Sequence, residues 1–126
     1  MKKFVNEVDE ILTESLTGFG NAHQDILEVK LKPDFIARKY KSENPKVALI
    51  SGGGSGHEPL HGGFVGYGML DAACPGQVFS APTPDQMEAA ANHVHSGKGI
   101  LFIVKNYSGD IMNFEMGADM IDHENQ

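Results

Sequence analysis

The sequence predicts an α/β fold in which helices form layers on a mostly parallel or mixed sheet, an α/β/α sandwich. Short apolar runs typical of buried strands alternate with segments of helical periodicity. The two clearest strands each lead through a loop into a helix, as in parallel sheets. The chain has 126 residues and shows no linker or internal repeat. We therefore expect residues 1–126 to form one domain with a single core.

The first half of the chain predicts one helix and one strand. Helical spacing relates Phe4, Val8, Ile11, Leu12 and Leu16. Gly18 and Gly20 are expected to end this helix. Residues 24–40 alternate only weakly around Pro33, and no element is assigned there. Val47–Ile50 is typical of a short buried strand that enters a glycine-rich segment.

The middle of the chain is rich in small residues. Leu60–Gly76 is expected to form a short helix and loop, followed by a short strand at Val78–Phe79. Thr83–Gln86 has the pattern of a capping box with proline at the first helical position. This helix is expected to run to His95, with apolar residues facing the core at Met87, Ala90, Ala91 and Val94.

The last elements are a strand and a helix. Gly99–Val104 is apolar throughout, which predicts a strand buried on both faces. Lys105–Asp110 follows as a loop. A further helix is indicated by the spacing of Ile111, Phe114, Ala118 and Ile121.

Composition excludes several classes of function. The net charge of −7 argues against a nucleic-acid surface, which needs clustered lysine and arginine. The single cysteine, Cys74, cannot form an intrachain disulfide and is interpreted as a small core residue. The cysteine and histidine spacings do not match a metal site. Neither a signal peptide nor a membrane span is predicted, and we expect a cytoplasmic protein.

The glycine-rich segment Ser51–Glu58 is the first candidate site. It is not a P-loop, because His57 stands where that motif needs lysine, and its spacing does not match a dinucleotide fingerprint. The segment, with Gly54, Ser55 and Gly56, instead offers backbone donors to a compact polar ligand. His57 could act there as an acid, a base or a nucleophile. The alternative is a tight structural turn.

The loop after Val104 is the second candidate site. If the strands that precede the two loops are neighbours, Lys105 and Asp110 meet His57 at one edge of the sheet. Asp110 begins a helix, so it could serve as an N-cap, as a catalytic group or as both. Lys105 could also be surface charge. Four other histidines are interpreted as loop or helix-face residues without a predicted role: His61, His93, His95 and His123.

Three long motifs resemble those of the dihydroxyacetone (glycerone) kinases, in the N-terminal part of their dihydroxyacetone-binding subunit. The first is SGGGSGHEP at Ser51–Pro59, followed by H-x-G-x-x-G-x-G-M-L-x-x-A-C-P-G at His61–Gly76. The others are Phe79–Asp85 and Val104–Asp110, with Asn113 and Phe114 beyond. The similarity runs in order from the first residues to about Met120.

The resemblance implies a kinase that phosphorylates dihydroxyacetone, in glycerol metabolism. Gly54 and His57 would contact the triose, with Ser55 and Gly56 in the same binding segment. Lys105 would also lie at the substrate. Asp110 would take the hydroxyl proton, with His57 as the second catalytic group. Ala81 stands where some relatives have serine, so one hydrogen bond to the ligand would be missing.

The resemblance also implies partners and a missing residue. Family members are longer, and a second domain supplies a histidine that binds the substrate carbonyl covalently. No residue of this chain corresponds to it, so we expect a truncated N-terminal domain that is inactive alone. ATP or ADP with magnesium would bind a partner subunit or domain, in some bacteria recharged by a phosphotransferase-system phosphoprotein. No cofactor or metal is expected on this chain, and a homodimer is expected.

A different class of function stays open. Regulatory paralogues of the family bind dihydroxyacetone and activate transcription without catalysis. They share the glycine-rich segment, which therefore does not separate the two classes. The presence of Lys105 and Asp110 favours the kinase.

Overall fold

In the computed structural model, which describes residues 2–121, three helices surround a five-stranded sheet. Met1 and residues 122–126, with His123, lie outside the described residues. The helices are α1 (Ile11–Ala22), α2 (Pro84–Val94) and α3 (Ser108–Met120). The strands are β1 (Leu27–Lys30), β2 (Phe35–Arg38), β3 (Ala48–Ser55), β4 (Ala72–Val78) and β5 (Ile100–Ile103). Short 3₁₀ turns lie at Val8–Glu10 and Gly62–Phe64.

The sheet is mixed, in the order β1-β2-β4-β3-β5. Strand β3 pairs in parallel with both β4 and β5, whereas β2 pairs antiparallel with β1 and β4. The carboxyl ends of β3, β4 and β5 therefore meet at one edge of the sheet. That edge is where ligands bind in open α/β sheets.

The core has one layer on each face of the sheet, as expected for the predicted α/β/α class. On β2, Phe35 and Ala37 belong to the cluster under α2 and α3, and Ile36 between them belongs to the cluster under α1. Strand β4 alternates in the same way, with Ala72 and Cys74 on the first face. The two-residue period of a strand thus supplies both layers at once. The predicted fold class is confirmed.

Helix α1 does not end at Gly18 and Gly20 as predicted, but continues to Ala22. A Cβ on Gly20 would lie 3.0 Å from Cγ2 of Val29, so this glycine lets the helix approach β1 closely. Packing against the sheet outweighs the modest cost of glycine inside a helix, about 0.5–1 kcal/mol.

The predictions for β3 and β4 were wrong in extent. Strand β3 runs through the glycines to Ser55, so much of the predicted loop Ser51–Glu58 is strand. Strand β4 occupies Ala72–Val78, where a short helix and loop were expected, and Phe79 lies beyond it with a φ of 53°. These strands could not be recognised from the sequence, because they consist largely of small residues and a proline. Strand propensity reflects side-chain packing, which glycine and alanine do not provide.

Strand β5 was predicted to be buried on both faces, and this prediction was wrong. It lies at the edge of the described sheet, with Leu101 52% and Ile103 50% exposed. Its alternate residues, Ile100 and Phe102, pack against the core.

The predicted start of α2 is confirmed. Pro84 is the first helical residue, and Oε1 of Gln86 accepts a hydrogen bond from the backbone N–H of Thr83 at 2.9 Å. The helix ends at Val94, one residue before the predicted end. Within residues 2–121, no helix is long and apolar enough to cross a membrane.

Candidate functional site

The loops after β3 and β5 line one cavity of about 380 Å³ beyond the carboxyl ends of these strands. Its walls also include the turn after β4. The lining residues are Gly54, His57, Phe79, Ser80, Ala81, Lys105, Asn106, Tyr107 and Asp110. Neighbouring parallel strands thus bring together candidate residues more than 50 positions apart in sequence.

Asp110 is the most buried polar residue of this cavity. It is the third residue of α3 and only 2% exposed. Its Oδ1 has no hydrogen-bond partner among residues 2–121. Of the roles left open for Asp110, the N-cap role is wrong, because Tyr107 occupies the N-cap position of α3. A buried carboxylate oxygen without a partner is costly, so Oδ1 of Asp110 is a candidate to accept a hydrogen bond from a ligand in this cavity.

His57 is exposed at the mouth of the same cavity. Its ring contacts Phe79 edge-on, with centroids 5.1 Å apart. The turn before it needs Gly56, whose φ is +109° and whose Cβ would lie 2.6 Å from the Phe79 ring. The backbone N–H of Gly56 donates to both carboxylate oxygens of Glu58, at 3.0 and 3.3 Å. The imidazole is therefore presented to the cavity by a turn with its own internal hydrogen bonds.

Gly54 forms the floor of the cavity through a close backbone approach. A Cβ at this position would lie 2.7 Å from the backbone nitrogen of Ser80. The Phe79–Ser80 turn is held there because the N–H of Phe79 donates to the carbonyl of Ser55 at 2.7 Å. Any side chain larger than hydrogen at residue 54 would displace this turn.

The structure does not bring Ser55 and Gly56 into the lining of the Asp110 cavity. The Ser55 hydroxyl donates to the carbonyl of Gly76 at 2.7 Å and is buried. Ser55 instead borders a neighbouring cavity of about 440 Å³ under α1. Substrate contacts by Ser55 and Gly56 therefore stay a prediction.

His61 is a residue that the sequence did not single out. It is half-buried in the wall of the neighbouring cavity, close to Lys105. Burial is the largest cause that lowers the pKa of His61, followed by the positive charge of Lys105. The charge of Asp110 raises this pKa and His57 lowers it. His61 thus belongs electrostatically to the same group of side chains.

Other titratable residues contribute less to the site. Burial raises the pKa of the Cys74 thiol to about 12, in agreement with its interpretation as a core residue. Within residues 2–121, no group of three or more His, Cys, Asp or Glu side chains could hold a metal ion.

Comparison with known families identifies the chain. The family model described as the Dak1 domain matches residues 17–126. The chain belongs to the Dak1 domain family.

Curated relatives of this Dak1 domain carry the names of dihydroxyacetone kinases. It is 47% identical over 121 residues to the Escherichia coli K12 protein named PEP-dependent dihydroxyacetone kinase, dihydroxyacetone-binding subunit DhaK. That match covers 96% of this chain and 34% of the relative. Dihydroxyacetone kinase 2 of Saccharomyces cerevisiae is 56% identical over 113 residues, covering 86% of this chain and 19% of the relative. The chain thus spans a minor part of the relatives it matches.

Solved structures show the same fold. The dihydroxyacetone kinase from C. freundii, in a complex described with AMP-PNP and Mg²⁺, superposes with a TM-score of 0.85 at 38% identity. The match covers 94% of this Dak1 domain and 22% of that chain. A structure titled dihydroxyacetone kinase operon co-activator Dha-DhaQ superposes at 0.73 with 36% identity, over 93% of this chain and 36% of that one.

Sequence reasoning did not single out four residues that line the cavity of this Dak1 domain: Phe79, Ser80, Asn106 and Tyr107. Phe79 and Ser80 lie in the turn after β4, whereas the sequence predicted only a short strand at Val78–Phe79 there. Asn106 and Tyr107 lie inside the predicted loop but carry no distinctive chemistry. A correct assignment of β4 would have placed its carboxyl end at the same edge as β3, because the two strands are parallel.

Proposed function

We propose that this Dak1 domain is the dihydroxyacetone-binding part of a dihydroxyacetone kinase. The observation that carries the proposal is the unpartnered Oδ1 of Asp110, buried in the wall of a cavity that His57 and Gly54 also line. A ligand hydroxyl would satisfy this oxygen by donating a hydrogen bond to it. The names of the relatives supply the substrate, a small triose with two hydroxyl groups.

Each side chain receives one role in phosphoryl transfer. Asp110 accepts the proton of the attacking hydroxyl, and His57 hydrogen-bonds the same end of the triose. The ammonium of Lys105 stabilises negative charge on the transferred group. The backbone of Gly54 closes the floor against the triose. Because phosphoryl transfer needs positioning and electrostatic stabilisation more than covalent help, these groups act on the attacking hydroxyl, while the carbonyl of the triose is left to the histidine of the second domain that the family resemblance implies.

The nucleotide is assigned to a partner subunit or domain. The glycine-rich segment lacks the lysine of a P-loop and is mostly strand, with Gly54 packed against a turn. Across the described residues 2–121, no group of three or more His, Cys, Asp or Glu side chains could hold a metal ion. The missing P-loop lysine is what supports the assignment of the nucleotide to a partner. The names of bacterial relatives include both PEP-dependent and PTS-dependent kinases, which favours a phosphotransferase-system phosphoprotein that carries the phosphoryl group from PEP.

A second candidate is a regulatory protein that binds dihydroxyacetone without turnover. The likeness to the DhaQ co-activator structure favours it. Asp110 and Lys105 favour the kinase, because a binding protein has no need of a buried base. A homodimer and a nucleotide-binding subunit are the proposed partners.

The test is phosphorylation of dihydroxyacetone by a complete kinase that carries this sequence as its N-terminal part. We expect dihydroxyacetone phosphate when a nucleotide-binding partner is supplied with ATP and magnesium, or with a phosphotransferase system. We expect no product from the 126-residue chain alone with ATP. Binding of dihydroxyacetone without turnover under every donor condition would favour the regulatory protein. Product from the chain alone would contradict the assignment of the nucleotide to a partner.

A further inference from the structure

Gly53 opens a slot in which two side chains from different loops meet. A Cβ on Gly53 would lie 2.9 Å from Cε1 of His61 and 2.9 Å from Nζ of Lys105. Both side chains therefore face the same point above β3. Each ring nitrogen of His61 is bonded to Cε1, so a rotation of either side chain would bring a ring nitrogen and the lysine ammonium together.

Neither side chain is engaged elsewhere. Among residues 2–121, the side chains of His61 and Lys105 have no hydrogen bond or ion pair, either with each other or with a third group. Both are half-buried, and burial together with the charge of Lys105 favours the neutral form of His61. A neutral imidazole is a hydrogen-bond acceptor at one nitrogen, which is what an ammonium group requires.

The position of Lys105 matters for Asp110. Within the part of the chain that the structure describes, Lys105 and Asp110 line one cavity without forming an ion pair. An ammonium in direct contact with a carboxylate stabilises its ionised form and makes it a weaker base. A group that holds the ammonium above Gly53 keeps it close enough to stabilise the transferred phosphoryl group and leaves the carboxylate free.

We propose that His61 is a positioning residue, whose neutral imidazole accepts a hydrogen bond from Lys105 and holds its ammonium in the Gly53 slot beside the Asp110 cavity. The inference rests on the proposed kinase function. It assigns His61 no contact with the substrate, since His61 acts through Lys105.

The activity test is a double-mutant cycle in a complete kinase that carries this sequence. His61→Ala should lower kcat by about 10- to 100-fold, since a misplaced catalytic group costs this much, and should change KM much less. His61→Gln, which keeps a hydrogen-bond acceptor, should recover part of the loss. In the Lys105→Met background, His61→Ala should have little further effect. His23→Ala is the matched control, since His23 lines neither cavity.

A second measurement does not depend on activity. NMR titration of histidine-labelled protein should show the pKa of His61 rising in Lys105→Met, because the neighbouring positive charge that lowers it is gone. Asp110 and His57 also act on this titration, and Glu58 lines the same cavity as His61, so all three stay unchanged in the comparison.

The outcomes separate the two proposals. An equal loss on His61→Ala with and without Lys105 would mean that His61 only packs, and an unshifted His61 titration would also overturn the inference. A wild-type protein that never phosphorylates dihydroxyacetone would contradict the proposed function, while the titration would still decide whether the His61–Lys105 contact exists.

Discussion

Replacing Asp110 by asparagine tests the proposed base directly. The two side chains have nearly the same shape, so the substitution removes basicity and charge while it preserves packing. Because Asp110 is 2% exposed, bulk water cannot take its place as the proton acceptor. The loss should therefore appear in the chemical step rather than in binding.

The expected magnitude follows from this burial. A positioned general base contributes about 10²- to 10⁴-fold, which corresponds to about 3–5 kcal/mol of transition-state stabilisation. Stability should change in the opposite direction. The wild-type protein buries a carboxylate whose Oδ1 has no partner in residues 2–121, and a neutral amide is less costly to bury. The free energy of unfolding of Asp110→Asn should therefore equal or exceed that of the wild type.

The assay measures initial rates of dihydroxyacetone phosphorylation by a complete kinase, together with thermal unfolding of the same samples. Asp119→Asn is the matched control, because Asp119 is exposed on the same helix. The control should retain wild-type kcat. An Asp110→Asn variant with unchanged kcat, or one that unfolds at a clearly lower temperature, would refute the role of Asp110 as a base held at a cost in stability.

Three further substitutions or measurements test the surrounding structure. Gly54→Ala should lower the free energy of unfolding by about 1–3 kcal/mol and also reduce turnover, because its Cβ would overlap backbone atoms of the Phe79–Ser80 turn. The control Gly18→Ala should not destabilise the protein, since a Cβ there has nothing within 4 Å. Denaturant titration measures the stability of both variants, and initial rates measure their turnover. Native Cys74 should resist alkylation at pH 8 and react only on unfolding, because burial raises the pKa of the thiol and keeps it protonated. The same raised pKa makes the free energy of unfolding fall as the pH rises from about 9 toward about 12, since over this range the thiol ionises in the unfolded chain but not in the folded one. Labelling followed by mass spectrometry would contradict this if the folded protein reacted at the same rate. Asp71→Asn should cost about 1–3 kcal/mol of stability by denaturant titration, since it removes the carboxylate that pairs with the part-buried Arg38 and with Lys46, while the exposed Asp25→Asn should cost little.

The layered fold class and the parallel strands at the site could be predicted, because short apolar runs followed by a loop and a helix are a local sequence signal. Strands were correctly predicted at Val47–Ile50 and Gly99–Val104, although β3 extends further to Ser55 and β5 is limited to Ile100–Ile103. The adjacency of these strands places His57 and Asp110 at one edge of the sheet. The capping pattern at Thr83 likewise depends only on local hydrogen bonds, so the predicted helix start is found in the structure.

Elements built from small residues could not be predicted. Strand β4 has the sequence Ala-Ala-Cys-Pro-Gly-Gln-Val, and it exists because β2 and β3 pair with it on either side. Such pairing is tertiary, and a single sequence carries no local sign of it. The positions of Ser80 and His61 could not be predicted either, because they depend on tertiary contacts with Gly54 and Gly53 of β3.

The pairing of Ser51 with Ile103 has a consequence for how the protein is made. The Ser51 hydroxyl donates to the carbonyl of Ile103 at 2.6 Å, across 52 positions of chain. A ribosome must therefore release β5 before β3 acquires its second neighbour, and His57 cannot share a cavity with Lys105 and Asp110 before that point. Contacts of such long range close slowly, since loop entropy is lost before pairing compensates it. Until β5 is released, the edge of β3 at Ala48–Ser51, with which β5 pairs, is open to pairing with other chains, and the arrival of β5 both protects this edge and brings the loop that carries Asp110 beside the loop that carries His57.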